Sequence, residues 1–269
     1  MASPRPLESS ADLRPFFESV RRGPTRVLLL DYDGTLAPFG SDRRRPRLYP
    51  GVRAALEKLA RAPRPTRLGI VSGRPVADLH RFLGMGNAVE LWGSHGIERL
   101  TTAGCRVGPP PSPEVSRLLA EVAAVIVARG GAEILEKKPY GLAVHRRGSP
   151  PGIFERTVAD VLPEWAGPAR ALGLVVSEFD GGIELRPAQG HKGLVVEQVL
   201  REAGEKVVAA YLGDDWTDED AFRALRGRGL PILVRKEPRP THAEAWLRPP
   251  RQLVEFLAGW NAACSEGVS

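Results

Sequence analysis

Short continuous apolar runs along this chain alternate with stretches in which apolar residues return every three or four positions. The first run, Arg26-Val27-Leu28-Leu29-Leu30-Asp31, shows no alternation, as expected of a strand covered on both faces. After Pro50, apolar residues at Val52, Ala55, Leu56 and Leu59 mark one face of a helix over Val52–Ala60. A second strand, Arg67–Val71, ends at Ser72. Pro75 then opens a helix to Leu83, because proline suits a first helical turn. A third strand is expected over Ala88–Trp92. The pattern resumes near Lys192, with a helix to Ala203, a strand Val207–Leu212 ending at Gly213-Asp214, a helix Thr217–Arg226 and a strand Leu230–Val234. Such alternation predicts an α/β fold: a parallel sheet with helices on both faces.

The middle of the chain reads differently. A helix over Glu114–Arg129 precedes two strand-like runs, Ala132–Lys137 and Gly141–Arg146, joined through Pro139-Tyr140. A helix over Ile153–Leu162 precedes two more, Leu174–Phe179 and Gly182–Arg186, joined by Asp180-Gly181, a strong hairpin signal. The expected organisation is a core built from residues 1–103 and 187–269, interrupted by a smaller α+β domain at 104–186.

Open parallel sheets gather ligands at the carboxyl ends of their strands. Asp31, Ser72 and Asp214 all fall at such ends. One aspartate after a strand favours a turn or helix-cap reading, but three strand ends carrying complementary groups point to one reaction. Asp31-Tyr32-Asp33-Gly34-Thr35, Ser72-Gly73-Arg74, Lys192 at a helix start, and Gly213-Asp214-Asp215-Trp216-Thr217-Asp218 occur in that order. Together they resemble the haloacid dehalogenase-like (HAD) phosphohydrolases, whose signature is DxDGT, a Ser or Thr, a Lys and GDxxxD. The resemblance implies a HAD-like Rossmannoid core and an inserted cap.

The residue types suit phosphoryl transfer. Phosphomonoesters hydrolyse extremely slowly unaided, and an aspartate nucleophile splits the reaction through an aspartyl phosphate. Asp31 is the candidate nucleophile. Asp33 is the candidate to protonate the leaving oxygen and later activate water, a contribution of roughly 10²–10⁴-fold. Gly34 lets backbone amides approach the phosphate. Carboxylates facing a phosphate dianion call for a cation, and Mg²⁺ suits hard oxygen ligands. The expected ligands are Asp31 and Asp214, with the Asp33 backbone carbonyl implied by the family, and Asp215 and Asp218 orient metal-bound water. Ser72, Gly73, Arg74 and Lys192 complete the expected phosphate site. An acidic helix start would also explain Asp214–Asp220, since carboxylates favour helix N-termini.

The stretches Asp31–Phe39 and Gly213–Phe222 are similar to those of trehalose-6-phosphate phosphatases. So are Glu184-Leu185-Arg186-Pro187 before Lys192-Gly193, Glu136-Lys137-Lys138, Ala143 to Arg147, and Gly93-Ser94-His95-Gly96. The resemblance implies hydrolysis of trehalose 6-phosphate in trehalose biosynthesis, with a trehalose-6-phosphate synthase as a pathway partner. It also implies a cap in which Glu136, Lys138, Arg147 and Glu184, together with His95, hold the sugar. Charged hydrogen bonds select polyols well when water is excluded. Read without the resemblance, Glu136 and Lys138 share a strand face and fit a surface pair. Phe39 and Arg146 depart from the family pattern. A phosphatase for sucrose 6-phosphate or a glycosylglycerate phosphate, a mutase, and a silent sugar-phosphate binder are the competing readings.

Charge and composition change this picture little. The net charge of +6 favours anionic partners, phosphorylated metabolites included. The basic run Arg43, Arg44, Arg45, Arg47 reads as a solvated loop, and no zinc-finger, zipper or aromatic-interleaved pattern points to nucleic acid. Cys105 and Cys264 form no paired framework, which fits a reducing cytoplasm. Met1–Pro6 carries no apolar leader. The apolar stretch Leu118–Ala128 is interrupted by Glu121 and falls short of the ~20 residues a membrane span needs.

Overall fold

The apolar run at the start of the chain becomes a strand because both its faces are covered. Val27 and Leu29 enter one core with Val195, Val199 and Phe222. Leu28 and Leu30 enter another with Leu56, Leu79, Phe256 and Trp260. This is the period-two alternation of a strand with both sides apolar. The structure, a computed structural model, describes residues 5–6, 13–40 and 45–265. Arg43 and Arg44 of the basic run and Met1–Pro4 of the amino terminus lie outside the described residues.

In chain order the elements are β1 (Arg5–Pro6), α1 (Arg14–Arg22), β2 (Thr25–Leu30), α2 (Val52–Ala60), β3 (Arg67–Val71), α3 (Val76–Leu83), β4 (Glu90–Gly93), β5 (Glu98–Leu100) and β6 (Arg106–Val107). Next come α4 (Pro113–Ala128), β7 (Leu135–Lys138), β8 (Gly141–His145), α5 (Ile153–Arg156), α6 (Leu162–Ala171), β9 (Leu174–Phe179) and β10 (Gly182–Pro187). The chain closes with α7 (Lys192–Ala203), β11 (Val207–Gly213), α8 (Glu219–Leu225), β12 (Leu230–Val234), β13 (Ala245–Leu247) and α9 (Arg251–Ser265).

Residues 1–107 with 191–269 form one compact unit and residues 108–190 a second. The first holds a nine-stranded sheet in the order β1-β13-β12-β11-β2-β3-β4-β5-β6. Its pairs are parallel from β1 to β4, while β5 and β6 add antiparallel at the edge. Register decides where the chemistry falls. Leu30 lies level with Leu212 on β11 and with Ile70 on β3. The carboxyl ends of the three strands therefore coincide, and the Asp31 N–H donates to the Leu212 carbonyl at 2.8 Å.

The second unit pairs its strands antiparallel in the order β7-β8-β10-β9. Leu142, Val144, Ile183 and Leu185 join Leu119, Val122, Ile126 and Phe154 in its core, so one face of this sheet is covered by helices. Helix α4 starts on Ser112, whose hydroxyl accepts from the Val115 N–H, with Pro113 in the first turn. The helix expected to stop at Leu162 continues to Ala171 through a π-helical stretch at Thr157–Val161. Pro163 and Pro168 look like breakers, but the wider π turn loosens the ladder before them, and Pro163 sits in the first turn of α6, where its missing N–H costs little. Among the described residues, no helix is long and apolar enough to cross a membrane.

Candidate active site

The aligned ends of β2 and β11, with the start of α7, bring charged groups into a nearly water-free space. Asp31, Lys192, Asp214 and Asp218 are each 3% exposed or less. Lys192 Nζ lies 2.7 Å from Asp31 Oδ1 and 2.7 Å from Asp218 Oδ1. The Tyr211 hydroxyl donates to the same Asp218 oxygen at 2.6 Å. Asp218 Oδ2 accepts the backbone N–H groups of Asp214 and Asp215 at 3.1 and 3.0 Å. Both oxygens of Asp218 are thus occupied with holding Lys192 and folding the acidic loop. Asp215 caps the short turn that follows, accepting from the Trp216 N–H at 2.7 Å.

Carboxylate oxygens of Asp31, Asp214 and Asp218 all lie within 4.8 Å of one another. Three carboxylates against one ammonium leave an excess of two negative charges. The protonation equilibria register this excess. Burial, with the charges of Asp218 and Asp33 adding to it against the pull of Lys192, lifts the Asp31 carboxyl to about 7. Burial and the neighbouring Asp31, Asp218 and Asp215 carboxylates push Asp214 well above the carboxylate range. Burial alone would lower Lys192, yet Asp218 and Asp31 outweigh it and raise it. The lysine is well compensated and the carboxylates are not, so one cation is being shared among too many anions. An all-oxygen donor set with that deficit fits a divalent metal ion. Asp31 and Asp214 suit direct ligation better than Asp218, because Asp218 has no oxygen to spare.

Two glycines make the approach possible. Gly34 has φ +88°, and a Cβ there would stand inside van der Waals distance of the Asp214 carboxylate. A Cβ on Gly73 would lie 2.6 Å from His95 Nε2. Ser72, buried, accepts the Arg74 N–H on its Oγ at 3.1 Å. Ser94 and His95 both have positive φ, an uncommon geometry for non-glycine residues that often marks a site. The His95 N–H donates to the Ser72 carbonyl at 2.9 Å, and this bends the imidazole onto Gly73. Asp33 faces Arg74: Nε lies 2.5 Å from Oδ2 and Nη2 2.8 Å from Oδ1.

Three residues of this neighbourhood were not singled out in the sequence. Tyr211 supports Asp218, as described. Arg235 Nη1 donates to the Asp214 carbonyl at 3.2 Å, and Arg239 Nη2 to the Asp215 carbonyl at 2.7 Å. Arg239 also pairs with Glu219 and lies 4.3 Å over the Trp216 ring. Arg235 directly follows β12, another carboxyl end of the parallel sheet, and that position was the available signal.

The remaining candidates lie in the second unit. Glu136 pairs with Ala143, and Ala143 with Glu184, across β7, β8 and β10. The two glutamates therefore share a row on the face opposite the helix-covered one. Lys138 Nζ donates to Glu184 Oε1 at 2.7 Å, and His145 Nε2 hydrogen-bonds Glu136 Oε2 at 2.7 Å. Arg147 donates to the Asp180 carbonyl at 2.6 Å. Arg146 lies 4.7 Å over the Phe154 ring.

A family model described as trehalose-phosphatase matches residues 29–248. The probable trehalose-phosphate phosphatase 4 of Oryza sativa subsp. japonica is 32% identical over 259 residues, covering 88% of this chain and 66% of that protein. The trehalose-phosphate phosphatase of Mycolicibacterium paratuberculosis is 34% identical over 251 residues, covering 86% and 60%. The chain thus spans slightly under two thirds of the length of these curated relatives. The C-terminal domain of C. albicans trehalose-6-phosphate phosphatase superposes with a TM-score of 0.80 at 23% identity, covering 97% of this chain and 98% of that one. That likeness establishes the fold.

Proposed function

The chain belongs to the trehalose-phosphatase family, and on that premise we propose that it hydrolyses trehalose 6-phosphate to trehalose and phosphate. The observation that carries the reading is the buried Asp31–Lys192–Asp218 cluster beside Asp214. Lys192 ties down one oxygen of Asp31 and leaves the other to attack phosphorus. An ammonium has three N–H donors; two serve Asp31 and Asp218, and the third serves a phosphate oxygen. Ser72 and the backbone at Gly73 supply further donors, whereas the Gly34 N–H is already given to the Ala37 carbonyl at 2.7 Å. Losing one donor of this kind typically costs about 3–4 kcal/mol of barrier stabilisation.

Asp31 and Asp214, with the Asp33 carbonyl, would hold Mg²⁺. When bound, that ion offsets the charge that carboxylates and phosphate bring together. Asp215 and Asp218 keep the acidic loop in shape around it. Asp31 bonds to phosphorus as the sugar oxygen leaves with a proton from Asp33. Asp33 then takes a proton from water, which attacks the aspartyl phosphate and frees phosphate and Asp31. On the family resemblance, Glu136, Lys138, Arg147 and Glu184 of the second unit, and His95 of the first, are the residues assigned to the sugar hydroxyls. The substrate would come from a trehalose-6-phosphate synthase in the cytoplasm.

The test is phosphate release with Mg²⁺ from a panel of sugar phosphates. Trehalose 6-phosphate should be hydrolysed with the highest kcat/KM. Faster release from sucrose 6-phosphate or a glycosylglycerate phosphate would replace this substrate with that one. Tight binding without release from any would make the chain a binding protein.

A further inference from the structure

Arg74 sits in a segment that, by its sequence, belongs with phosphate binding, yet its guanidinium is turned to a carboxylate. Its fork meets both oxygens of Asp33, Nε to Oδ2 at 2.5 Å and Nη2 to Oδ1 at 2.8 Å. The residue is fixed at several other points. Its N–H donates to Ser72 Oγ at 3.1 Å, and its carbonyl accepts the Ser94 N–H at 2.8 Å. Ser94 is anchored in turn by Glu98, which accepts its hydroxyl at 2.8 Å and the Val76 N–H at 3.2 Å. A Cβ on Gly93 would lie 2.7 Å from the Arg74 carbonyl and 2.5 Å from the Val76 nitrogen, so only glycine admits this close packing. The guanidinium face lies 5.3 Å over the Phe82 ring, which stacks on Tyr32, the residue between Asp31 and Asp33.

We propose that Arg74 is the positioning residue for Asp33, setting the direction of its carboxylate, and is not an anchor for the phosphate. The proposal rests on the reading of Asp33 as the acid–base group. The Asp33 side chain is about one quarter exposed, at 26%, so packing alone leaves it free to rotate. A bidentate fork removes that freedom, whereas a single ammonium cannot. A fork held by the backbone of the Ser72–Arg74 loop ties the acid to the segment that also presents Ser72.

The experiment compares two leaving groups. A sugar alkoxide needs a proton as it departs, whereas p-nitrophenolate leaves well without one. Arg74→Lys and Arg74→Met should lower kcat/KM for trehalose 6-phosphate about 10- to 100-fold, the scale of a misplaced catalytic group. The same variants should keep kcat/KM for p-nitrophenyl phosphate within about threefold, and the inhibition constant for inorganic phosphate likewise, which also shows that the variant is folded. In an Asp33→Asn background, Arg74→Met should cost almost nothing further, because groups acting as a unit are not additive. Equal losses on both substrates, weaker phosphate inhibition, rescue by lysine, or a full additional loss in the Asp33→Asn background would each overturn the proposal. A wild type that prefers another sugar phosphate would refute the trehalose reading alone, and the same comparison would then run on that sugar.

Discussion

The two units each set charged groups beside a sheet, but with different partners. At the strand ends of the first unit, Asp31, Asp214 and Asp218 share one Lys192, and burial, with the neighbouring carboxylates added, lifts Asp31 to about 7 against the pull of Lys192. On the polar sheet face of the second unit, Lys138 pairs with Glu184 and His145 hydrogen-bonds Glu136. A cluster with a deficit is built to receive a cation and to change charge during a reaction. Carboxylates that each have a basic neighbour at hydrogen-bond distance suit fixed hydrogen-bonding directions. On the proposed function this difference separates chemistry from recognition, and substitutions can test that separation. The largest effect belongs to the deficient cluster: Asp31→Asn should lower kcat by roughly four orders of magnitude or more, as removal of a nucleophile does elsewhere. Phosphate release under single-turnover conditions measures it. A variant retaining a tenth of the activity would move the nucleophile elsewhere.

A smaller change at the same cluster tests whether close approach matters as much as charge. Gly34→Ala places a methyl against the Asp214 carboxylate at φ +88°. The strain there is about 1–3 kcal/mol, and displacement of Asp214 should cost kcat about 100-fold. Wild-type kinetics in this variant would mean that the Gly34 approach is incidental.

In the second unit, Glu184→Gln keeps the shape and removes the charge that faces Lys138. Hydrogen bonds to charged groups contribute about 1.5–3 kcal/mol, so kcat/KM for trehalose 6-phosphate should fall about 10- to 100-fold. Turnover of a generic aryl phosphate should change little. Equal losses on both substrates would erase the division between recognition and chemistry.

The same contrast explains what could be read in the sequence. Asp31, Lys192 and Asp214 could be placed together because each marks a strand end or helix start, and the parallel register of β2 with β11 and β3 carries such positions to one edge. Local pattern therefore implied spatial proximity. The direction of Arg74 was not legible, since a side chain in a loop between Asp33 and the phosphate position has two anions to choose from. Nor were the roles of Arg235 and Arg239, whose contacts are to backbone carbonyls and leave no complementary residue type to find. In the second unit, the row Glu136–Ala143–Glu184 depends on cross-strand register, which no single strand encodes. The helix through Ala171 escaped because Pro163 and Pro168 resemble breaks until the π turn before them is seen.

The smallest effect is thermal, and it tests the charge deficit directly. The Asp31 carboxyl is lifted from its ordinary value of 3.8 to about 7 in the fold. Between those values the folded chain holds a proton that the unfolded chain has lost. Raising the pH through that window therefore weakens the metal-free fold, and the loss is complete above about 7. Asp31→Asn has no such proton, so its melting temperature relative to wild type should climb as pH rises from about 4 to about 7. Referring wild type to the variant removes the titration of groups away from the cluster, while Asp214, whose carboxyl Asp31 helps to raise, shifts with it. A divalent ion reverses the sign by satisfying the same carboxylates. At one hundred times its dissociation constant it adds about 2.7 kcal/mol, or several degrees in a chain of this length at about 2–4 °C per kcal/mol. Mg²⁺ should therefore raise the melting temperature clearly at pH 8. It should do so weakly at pH 5.5, where the raised carboxyls of Asp31 and Asp214 must first release protons. Differential scanning calorimetry at both pH values decides the matter. An equal rise at both, with no pH trend between wild type and variant, would show that Lys192 alone already balances the site and that no cation is missing from it.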